Sequence, residues 1–347
     1  MTLGLSGYSD GGQTMDNHKG VLVCGEIADG KLAPVTIELI GLGRKLADEL
    51  GEQSSVLLMG SKAGGLAQEA IAYGADNVYV AEDSLLDHYN SDAYTQIAAN
   101  LCQQVLPSIM LLGHTDIGLD LAPRLNGRLG GGLAMDCIAL SIDPPTKLLA
   151  STRPVFGGNA HATMVSRSAR PQMATIRPKI VPPAACDASR QGQVIPVEGK
   201  VDPAAIKVKV VERIKEQAEG VKLEDAEVVV SGGRGIGGAQ NFAMLRDLAS
   251  VLGGAVGASR PACDEGWVPA RLQVGQSGKS VSPKLYIAVG LSGAMAHLAG
   301  CLGSQVIVAI NKDKDANIFS VAQFGVVGDY KQILPALTAK LKELKSA

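Results

Sequence analysis

A single histidine stands in the most apolar part of the chain. The segment from Leu285 to Asn311 contains no Asp, Glu, Lys or Arg, and His297 is its only side chain that titrates near neutral pH. A Ser-Gly pair, Ser292 and Gly293, comes shortly before this histidine. An imidazole can donate a hydrogen bond, accept one or carry a positive charge, so its chemistry depends on the groups around it.

The elements around His297 can be predicted from the same segment. About 20 apolar residues would suffice to span a membrane, but four glycines and several polar side chains favour a strand, a turn, a helix and a second strand. The pattern predicts strands at Tyr286–Val289 and Val306–Ile310, with a turn at Gly290–Gly293 and a helix at Ala294–Ala299 between them. Strands without polar alternation are typical of a parallel sheet buried on both faces. His297 should then lie near the sheet edge at which doubly wound folds bind ligands.

Polar residues also follow the other predicted strands of this region. One polar residue at a strand end is common, but six in one domain describe a crevice for a large ligand with phosphates, a ribose and a polar ring. The six are Arg260, Ser277, Ser292, His297, Asn311 and Asp329.

A glycine motif opens the same region. In VVVSGGRGIGGAQNFAMLRDL, Gly233-x-Gly235-x-x-Gly238 matches the dinucleotide fingerprint and lies between a predicted strand and a predicted helix. The acidic residue expected about 20 residues later is missing, and Gly257-Ala258-Ser259-Arg260 stands there instead. Arg260 could bind an NADP phosphate or lie over an anionic ring, and the glycines could form only a tight turn.

Three classes of function therefore remain open from the motifs alone. An NADP-binding oxidoreductase domain would need an acid–base residue in a substrate pocket, and no candidate for one is identified. A non-redox nucleotide-binding regulatory module would not need polar groups such as Ser277 and His297 at the ring end of the ligand. A redox cofactor domain would use both of them. His114 and His161 fit no metal-ligand spacing, so neither a metal site nor a catalytic residue is predicted.

Length and composition limit the remaining possibilities. A chain of 347 residues favours two domains, and a formal net charge of -2 argues against nucleic acid or an anionic membrane surface as a partner. The six cysteines are scattered without a CxxC pair, which favours a reducing cytoplasm over a disulfide framework. The first residues lack the apolar core of a secretory signal.

Strands alternate with helices along both halves of the chain. This order predicts an α/β protein with two domains, each a mainly parallel, doubly wound sheet. The segment from Lys147 to Ile180 is predicted to form short strands and turns, and a Pro- and charge-rich linker follows from Pro182 to about Glu224. The predicted division is a mobile tail at 1–19, a first domain at 20–215 and a second at 216–347.

Taken together, the motifs resemble those of one family, the alpha subunits of electron-transfer flavoproteins. The resemblance rests on LYIAVGLSGAMAHLAG with VIVAINKD, and on VVVSGGRG, GAVGASRP, QVGQSGK and IFSVAQFGVVGD. In the first domain, DLAPRLNGRLGGGLAMDC, TRPVFGGNA and ARPQMATIRP also resemble family segments in family order, so the likeness covers roughly residues 20 to 345. It implies a Rossmann-like, FAD-binding second domain and a first domain that serves as a platform for a second subunit.

The resemblance also implies a set of residues that contact FAD. Arg234 matches the loop facing the cofactor phosphates, Arg260 the arginine over the isoalloxazine ring, and Ser277 the hydroxyl near flavin N5. His297 matches the histidine near flavin O2, while Ala296 stands where the family usually has glutamine, so that one side-chain amide is lost. The implied set comprises Arg234, Ser259, Arg260, Gln273, Val274, Gly275, Gln276, Ser277, Gly290, Leu291, Ser292, Gly293, Ala294, His297, Asn311 and Asp329.

The function implied by the resemblance is electron transport rather than self-contained catalysis. One FAD in this chain would carry electrons between an acyl-CoA dehydrogenase-type flavoenzyme and a quinone oxidoreductase or another redox partner. The beta subunit of the heterodimer would hold AMP or, in electron-bifurcating complexes linked to NADH and ferredoxin, a second FAD. Because a reduced flavin gains negative charge near N1 and O2, Arg260 and His297 are expected to raise its potential.

Overall fold

The computed structural model describes most of the chain as two compact units. One unit comprises residues 1–154 and 161–213, and the other residues 155–160 and 214–347. The predicted tail at 1–19 and the predicted boundary near residue 215 fall largely on residues outside the described ones, so both stay predictions. The described residues are 17–156, 160–198, 201, 204, 206–208, 210–212 and 221–346.

The N-terminal unit is built on strands that alternate with helices. Its strands and helices are β1 (Val21–Cys24), β2 (Ile27–Ala28), β3 (Lys31–Leu32), α1 (Pro34–Leu50), β4 (Ser54–Met59), α2 (Ala67–Ala72), β5 (Asn77–Ala81), α3 (Ser91–Val105), β6 (Ile109–Gly113), α4 (Asp116–Leu129), β7 (Gly132–Cys137), β8 (Ala139–Ile142), β9 (Leu149–Val155), β10 (Ala160–Val165), β11 (Gln172–Ile176) and β12 (Gln193–Val197).

Seven of these strands form one parallel sheet in the order β12-β5-β4-β1-β6-β11-β7. Val21 and Val23 of β1 pack into the core on one face, and Leu22 and Cys24 pack into the core on the other. The strand is apolar at every position because both of its faces are covered by helices. The predicted parallel, doubly wound sheet is confirmed.

One part of this unit agrees with the short strands predicted between Lys147 and Ile180, and another part departs from the prediction. Strands β8, β9 and β10 form a separate small sheet, in which β8 and β9 are antiparallel. The segment predicted as a linker contains β12, which pairs with β5 at the edge of the large sheet. Pro196 lies inside β12, and an edge strand tolerates a proline because one side of it needs no ladder hydrogen bond.

The carboxyl edge of the seven-stranded sheet is closed by its own side chains. Thr115 follows β6; its Oγ1 donates to Glu26 Oε1 at 2.6 Å and accepts from the Gly118 N–H at 3.1 Å. The strand order changes direction between β1 and β6, so Glu26 and Thr115 bridge the position at which such sheets usually bind a ligand. Burial raises the pKa of Glu26.

The C-terminal unit is a second, smaller α/β sheet. Its strands and helices are β13 (Val228–Gly232), α5 (Phe242–Leu252), β14 (Ala255–Ala258), α6 (Arg260–Asp264), β15 (Leu285–Val289), α7 (Met295–Leu298), β16 (Val306–Asn311), β17 (Phe324–Val327) and α8 (Tyr330–Ser346).

Five parallel strands make this sheet, in the order β14-β13-β15-β16-β17. Tyr286 and Ala288 of β15 face one buried cluster, and Ile287 and Val289 face the other. The strand, turn, helix and strand predicted around His297 are all present. Among the described residues, no helix is long and apolar enough to cross a membrane.

Candidate functional site

The carboxyl ends of the five C-terminal strands meet at one edge. Gly232 of β13 is paired with Ala258 of β14 and Val289 of β15, and Asn311 of β16 is paired with Val327 of β17. The chain passes from β13 to β14 on one side and then crosses to β15 on the other, so the sheet has a switch point between β13 and β15. Ligands bind at such points in open α/β sheets. The strand-end residues predicted from the sequence therefore lie at or near this one edge of the sheet.

The loops that follow β13 and β15 at the switch point contact each other through the backbone atoms of glycines. The Gly233 N–H donates to the Val289 carbonyl at 2.9 Å, and the Gly235 N–H donates to the Gly290 carbonyl at 3.1 Å. A Cβ added to Gly233 would lie 2.2 Å from the Gly290 oxygen. Helix α5 begins only at Phe242, so no long helix follows the glycines directly. Packing between the two loops explains the spacing of the glycines without a bound dinucleotide. The glycine motif therefore no longer supports the interpretation as an NADP-binding domain.

Ser259 and Arg260 follow β14 and begin the short helix α6. The Ser259 side chain is buried, and its Oγ has no hydrogen-bond partner among the described residues. Arg260 is exposed, with its Nε 3.3 Å from Asp264 Oδ2. A buried hydroxyl without a partner is costly, and a ligand that bonded to it would remove that cost.

The loop from Gln273 to Lys279 is held between β14 and α7. The Val274 N–H donates to the Ala258 carbonyl at 2.8 Å, and the Gln276 N–H donates to the Ala296 carbonyl at 2.7 Å. A Cβ on Gly275 would lie 2.8 Å from that same carbonyl. Gln273 Nε2 donates to Ser277 Oγ at 2.9 Å, which leaves the proton of the exposed Ser277 hydroxyl free for a ligand.

The loop Gly290–Ala294 requires glycine at its centre. Gly293 has a φ of +83°, and a Cβ there would lie 2.3 Å from the Ile318 nitrogen. That N–H donates to the Ser292 carbonyl at 3.1 Å, while the side chain of Leu291 is buried in the core. Ser292 and Ala294 remain exposed at this edge of the sheet.

His297 is buried beside a tyrosine that sequence reasoning did not single out. Its Nε2 lies 2.9 Å from the hydroxyl of Tyr286, which is fully buried, while Nδ1 has no hydrogen-bond partner among the described residues. Burial lowers the pKa of His297 to about 4, and the nearby backbone carbonyl of Val274, which favours the protonated ring, opposes that shift without cancelling it. His297 is therefore neutral at pH 7 and is suited to hydrogen bonding rather than to carrying charge. In the sequence, Tyr286 stands out only because it carries a hydroxyl in a strand whose other residues are aliphatic.

Asn311 and Asp329 are both engaged in local structure. Asn311 Nδ2 donates to the Leu291 carbonyl at 2.9 Å, which ties the strand end to the Gly290–Ala294 loop. Asp329 Oδ1 accepts from the Lys331 N–H at 2.9 Å and so caps the first turn of α8. These contacts explain both residues without a ligand, although each keeps hydrogen-bonding capacity.

The edge combines three kinds of group that a large anionic ligand would use. Arg234 and Arg260 are exposed cations, Ser277 and Ser292 present hydroxyls, and the buried polar atoms of Ser259 and His297 lack partners. Guanidinium groups suit phosphates, and hydroxyl and imidazole donors suit a heterocyclic ring.

Comparisons with known proteins agree across both units. Residues 21–201 match the electron transfer flavoprotein domain, and residues 222–302 match the electron transfer flavoprotein FAD-binding domain. The electron transfer flavoprotein subunit alpha of Megasphaera elsdenii is 46% identical over 330 residues, covering 94% of this chain and 98% of the relative. The subunit of the same name from Thermoanaerobacterium thermosaccharolyticum is 45% identical over 331 residues, covering 95% and 100%. Protein FixB of Azotobacter vinelandii is 44% identical over 336 residues, covering 94% and 93%.

Proposed function

The chain belongs to the electron transfer flavoprotein alpha-subunit family, and on that basis we propose that it carries electrons on one FAD bound at the carboxyl edge of its C-terminal sheet. The observation that carries this proposal is the pair of buried, unpartnered polar atoms, Ser259 Oγ and His297 Nδ1, beside the β13/β15 switch point. Flavin nucleotides bind at the corresponding switch point of other sheets with this strand order.

The residues at this edge fit FAD in charge and hydrogen-bonding character. When bound, the flavin would supply one- and two-electron chemistry that amino-acid side chains lack. Arg234 and Arg260 would neutralise the phosphates and the electron-rich ring, and each charge-assisted contact contributes about 1.5–3 kcal/mol. Ser277 has a free proton to donate, and His297 would act as a neutral donor.

The loops would hold the ring rather than react with it. Gly275 and Gly293 allow the two loops to lie against α7 and residue 318, so that Ser277 and Ser292 are fixed on backbone with little freedom. Neutral His297 neither takes up nor releases a proton at pH 7, so its contribution is orientation and local potential. We therefore regard the chain as an electron carrier and not as a self-contained enzyme.

Family membership implies a beta subunit, and the finer assignments belong to the same proposal. We propose a heterodimer in the cytoplasm whose beta subunit holds AMP. The electron donor would be an acyl-CoA dehydrogenase-type flavoenzyme and the acceptor a quinone oxidoreductase or another redox protein. An electron-bifurcating complex linked to NADH and ferredoxin would instead hold a second FAD in the beta subunit.

Cofactor content tests the proposal directly. We would co-express the chain with its beta subunit, record the visible spectrum and quantify released nucleotides by HPLC. One FAD and one AMP per heterodimer are expected; two FAD molecules would replace the plain carrier with a bifurcating complex. A colourless complex that takes up no added FAD would overturn the assignment in favour of a non-flavin nucleotide module.

A matched pair of arginine variants tests whether the cofactor binds at the carboxyl edge of the sheet. Arg260→Ala removes an exposed cation at the proposed site and is expected to weaken FAD binding at least tenfold, the effect of about 1.4 kcal/mol. Arg246→Ala removes an exposed cation from α5 in the same unit and should leave FAD binding unchanged. Equal effects of the two variants would mean that net charge, and not the site, governs binding.

A further inference from the structure

We infer that Tyr286 is a positioning residue for the cofactor site: its hydroxyl donates to His297 Nε2 and fixes the imidazole as the neutral tautomer with its proton on Nδ1. The redox consequences of this inference rest on the proposed function, whereas the tautomer itself does not. The geometric basis is the 2.9 Å contact between Tyr286 Oη and His297 Nε2, made between two buried side chains.

Both side chains are anchored in elements that leave them little freedom. Tyr286 lies in the central part of the sheet, in β15 between β13 and β16, and has no exposed surface. His297 lies in α7, and the backbone of that helix is held by the Gln276 N–H, which donates to the Ala296 carbonyl. The contact therefore links the sheet core to the loop that carries Ser277.

The direction of the hydrogen bond follows from the acceptors around the phenol. Tyr286 keeps its proton because burial raises its pKa well above the usual value. The nearby Cys301 sulfur is a weak acceptor, and the Ser231 hydroxyl acts on the phenol oxygen as a donor, because its contact lowers the pKa of Tyr286. The phenol O–H must therefore donate to Nε2, and the single proton of a neutral imidazole is then on Nδ1.

The titratable groups facing this pair are few. The Cys301 thiol, which follows α7, lies against the Tyr286 hydroxyl, and burial raises its pKa to about 12, so it is uncharged. Burial and the backbone carbonyl of Val274 are the two influences on His297 within the described part of the chain, and neither is a charged side chain. A phenol that donates to Nε2 favours the neutral imidazole further, since a protonated Nε2 could not accept.

The consequence is a histidine that offers one fixed N–H and no charge. Its Nδ1 is the ring nitrogen left without a partner among the described residues. Without the phenol, Nε2 could carry the proton instead, and the buried imidazole could become protonated at higher pH than in the wild type. The inference thus gives Tyr286 an effect on the flavin potential through His297, with no contact of its own to the cofactor.

The test combines a direct view of the tautomer with a redox measurement. In the complex with the beta subunit, long-range ¹H–¹⁵N spectra of ¹⁵N-histidine would be recorded for the wild type and for Tyr286→Phe, with the His297 signals assigned from His297→Gln. We expect a protonated Nδ1 and a bare Nε2 in the wild type, unchanged from pH 8 to pH 5. In Tyr286→Phe we expect tautomer exchange and protonation beginning at higher pH.

The redox arm measures the first-electron potential of the bound flavin in the same proteins. Loss of one oriented neutral hydrogen bond is expected to change this equilibrium about threefold to tenfold, which is at most about 59 mV. The same phenylalanine substitution in a His297→Gln background should have no effect, because the tyrosine acts through the histidine. Tyr94→Phe, which removes a hydroxyl bonded to the Leu86 carbonyl at 3.1 Å in the other unit, should also have none.

Two results would overturn the inference. One is a wild-type His297 protonated on Nε2, and the other is a Tyr286→Phe protein with the same tautomer and titration as the wild type. Absence of FAD from the wild-type complex would defeat the proposed function instead, and the ¹⁵N spectra would still decide the tautomer.

Discussion

The two sheets share one design and treat their switch points in opposite ways. In the N-terminal unit, Thr115 Oγ1 donates to Glu26 Oε1 at 2.6 Å across the carboxyl edge and also accepts from the Gly118 N–H. In the C-terminal unit, glycine loops form the same edge, and Ser259 Oγ and His297 Nδ1 are left without partners in the described residues. At the first switch point the protein's own side chains bond to each other, whereas the second switch point has hydrogen-bonding capacity left for a ligand.

The difference shows that strand order selects where a ligand could bind, while side chains decide whether one does. A carboxylate at the N-terminal edge occupies the place that a phosphate would take beside helix α4, and it would repel such an anion. The exposed arginines at the C-terminal edge have the opposite effect. Variants that disturb each edge separately can test this contrast.

The largest effect is expected from Gly118→Ala, which forces the N-terminal edge apart. A Cβ on Gly118 would lie 1.7 Å from the Gly113 carbonyl oxygen, so α4 must move away from β6. We expect a loss of at least about 3 kcal/mol in the free energy of unfolding, measured by urea denaturation. Gly127→Ala is the matched control in the same helix, since open space surrounds that Cβ, and it should stabilise by up to about 1 kcal/mol. Equal behaviour of the two variants would contradict the packing described here.

The second largest effect is expected from His297, which should lower the free energy of unfolding at acidic pH. Its pKa is lowered from 6.5 to about 4 on folding, so the unfolded chain binds the extra proton more readily. This contribution to stability is complete above pH 6.5 and falls as pH drops toward 4, by about 3 kcal/mol at most. His297→Gln should flatten that part of the stability profile, whereas His161→Gln, at an exposed position, should not.

Glu26 should give the N-terminal edge the opposite pH response. Because its pKa in the folded protein is raised above 4.5, its favourable contribution is present at low pH and is lost as pH rises through the folded value. Glu26→Gln keeps an acceptor for Thr115 and should gain stability over the wild type as pH rises above 4.5. The exposed Glu69→Gln serves as the control, and parallel profiles for the two variants would refute this assignment.

The smallest effect is expected for Asp329. It distinguishes a residue that only caps α8 from one that also contacts the cofactor. Asp329→Ala removes the acceptor of the Lys331 N–H and should cost under about 1 kcal/mol, whereas Asp329→Asn should keep the cap. If the residue only caps α8, FAD binding to the asparagine variant will equal that of the wild type. A weaker complex with Asp329→Asn would instead place the carboxylate on the cofactor.

The sequence was sufficient to predict the parallel strands and the edge at which the polar residues meet. Uniformly apolar strands and short glycine turns are local signals, and the parallel pairing of β15 with β13 and with β16 agrees with them. The contact between Tyr286 and His297 could not be predicted, because it depends on which face of β15 packs under α7. Strand β12 was missed because Pro196 and an exposed face hide its pattern at the sheet edge.

The backbone contact of Gly233 and Gly235 with Gly290 has a consequence for protein engineering. No side chain can be introduced at any of the three positions without separating the loops, since added Cβ atoms on them would lie 2.2, 2.7 and 3.0 Å from the opposite backbone. Libraries aimed at a different cofactor should therefore leave this trio constant and vary Arg234 and Ser292 beside it. Substitutions should therefore be tolerated at the exposed side chains of Arg234 and Ser292, and not at the three glycines whose backbones contact each other.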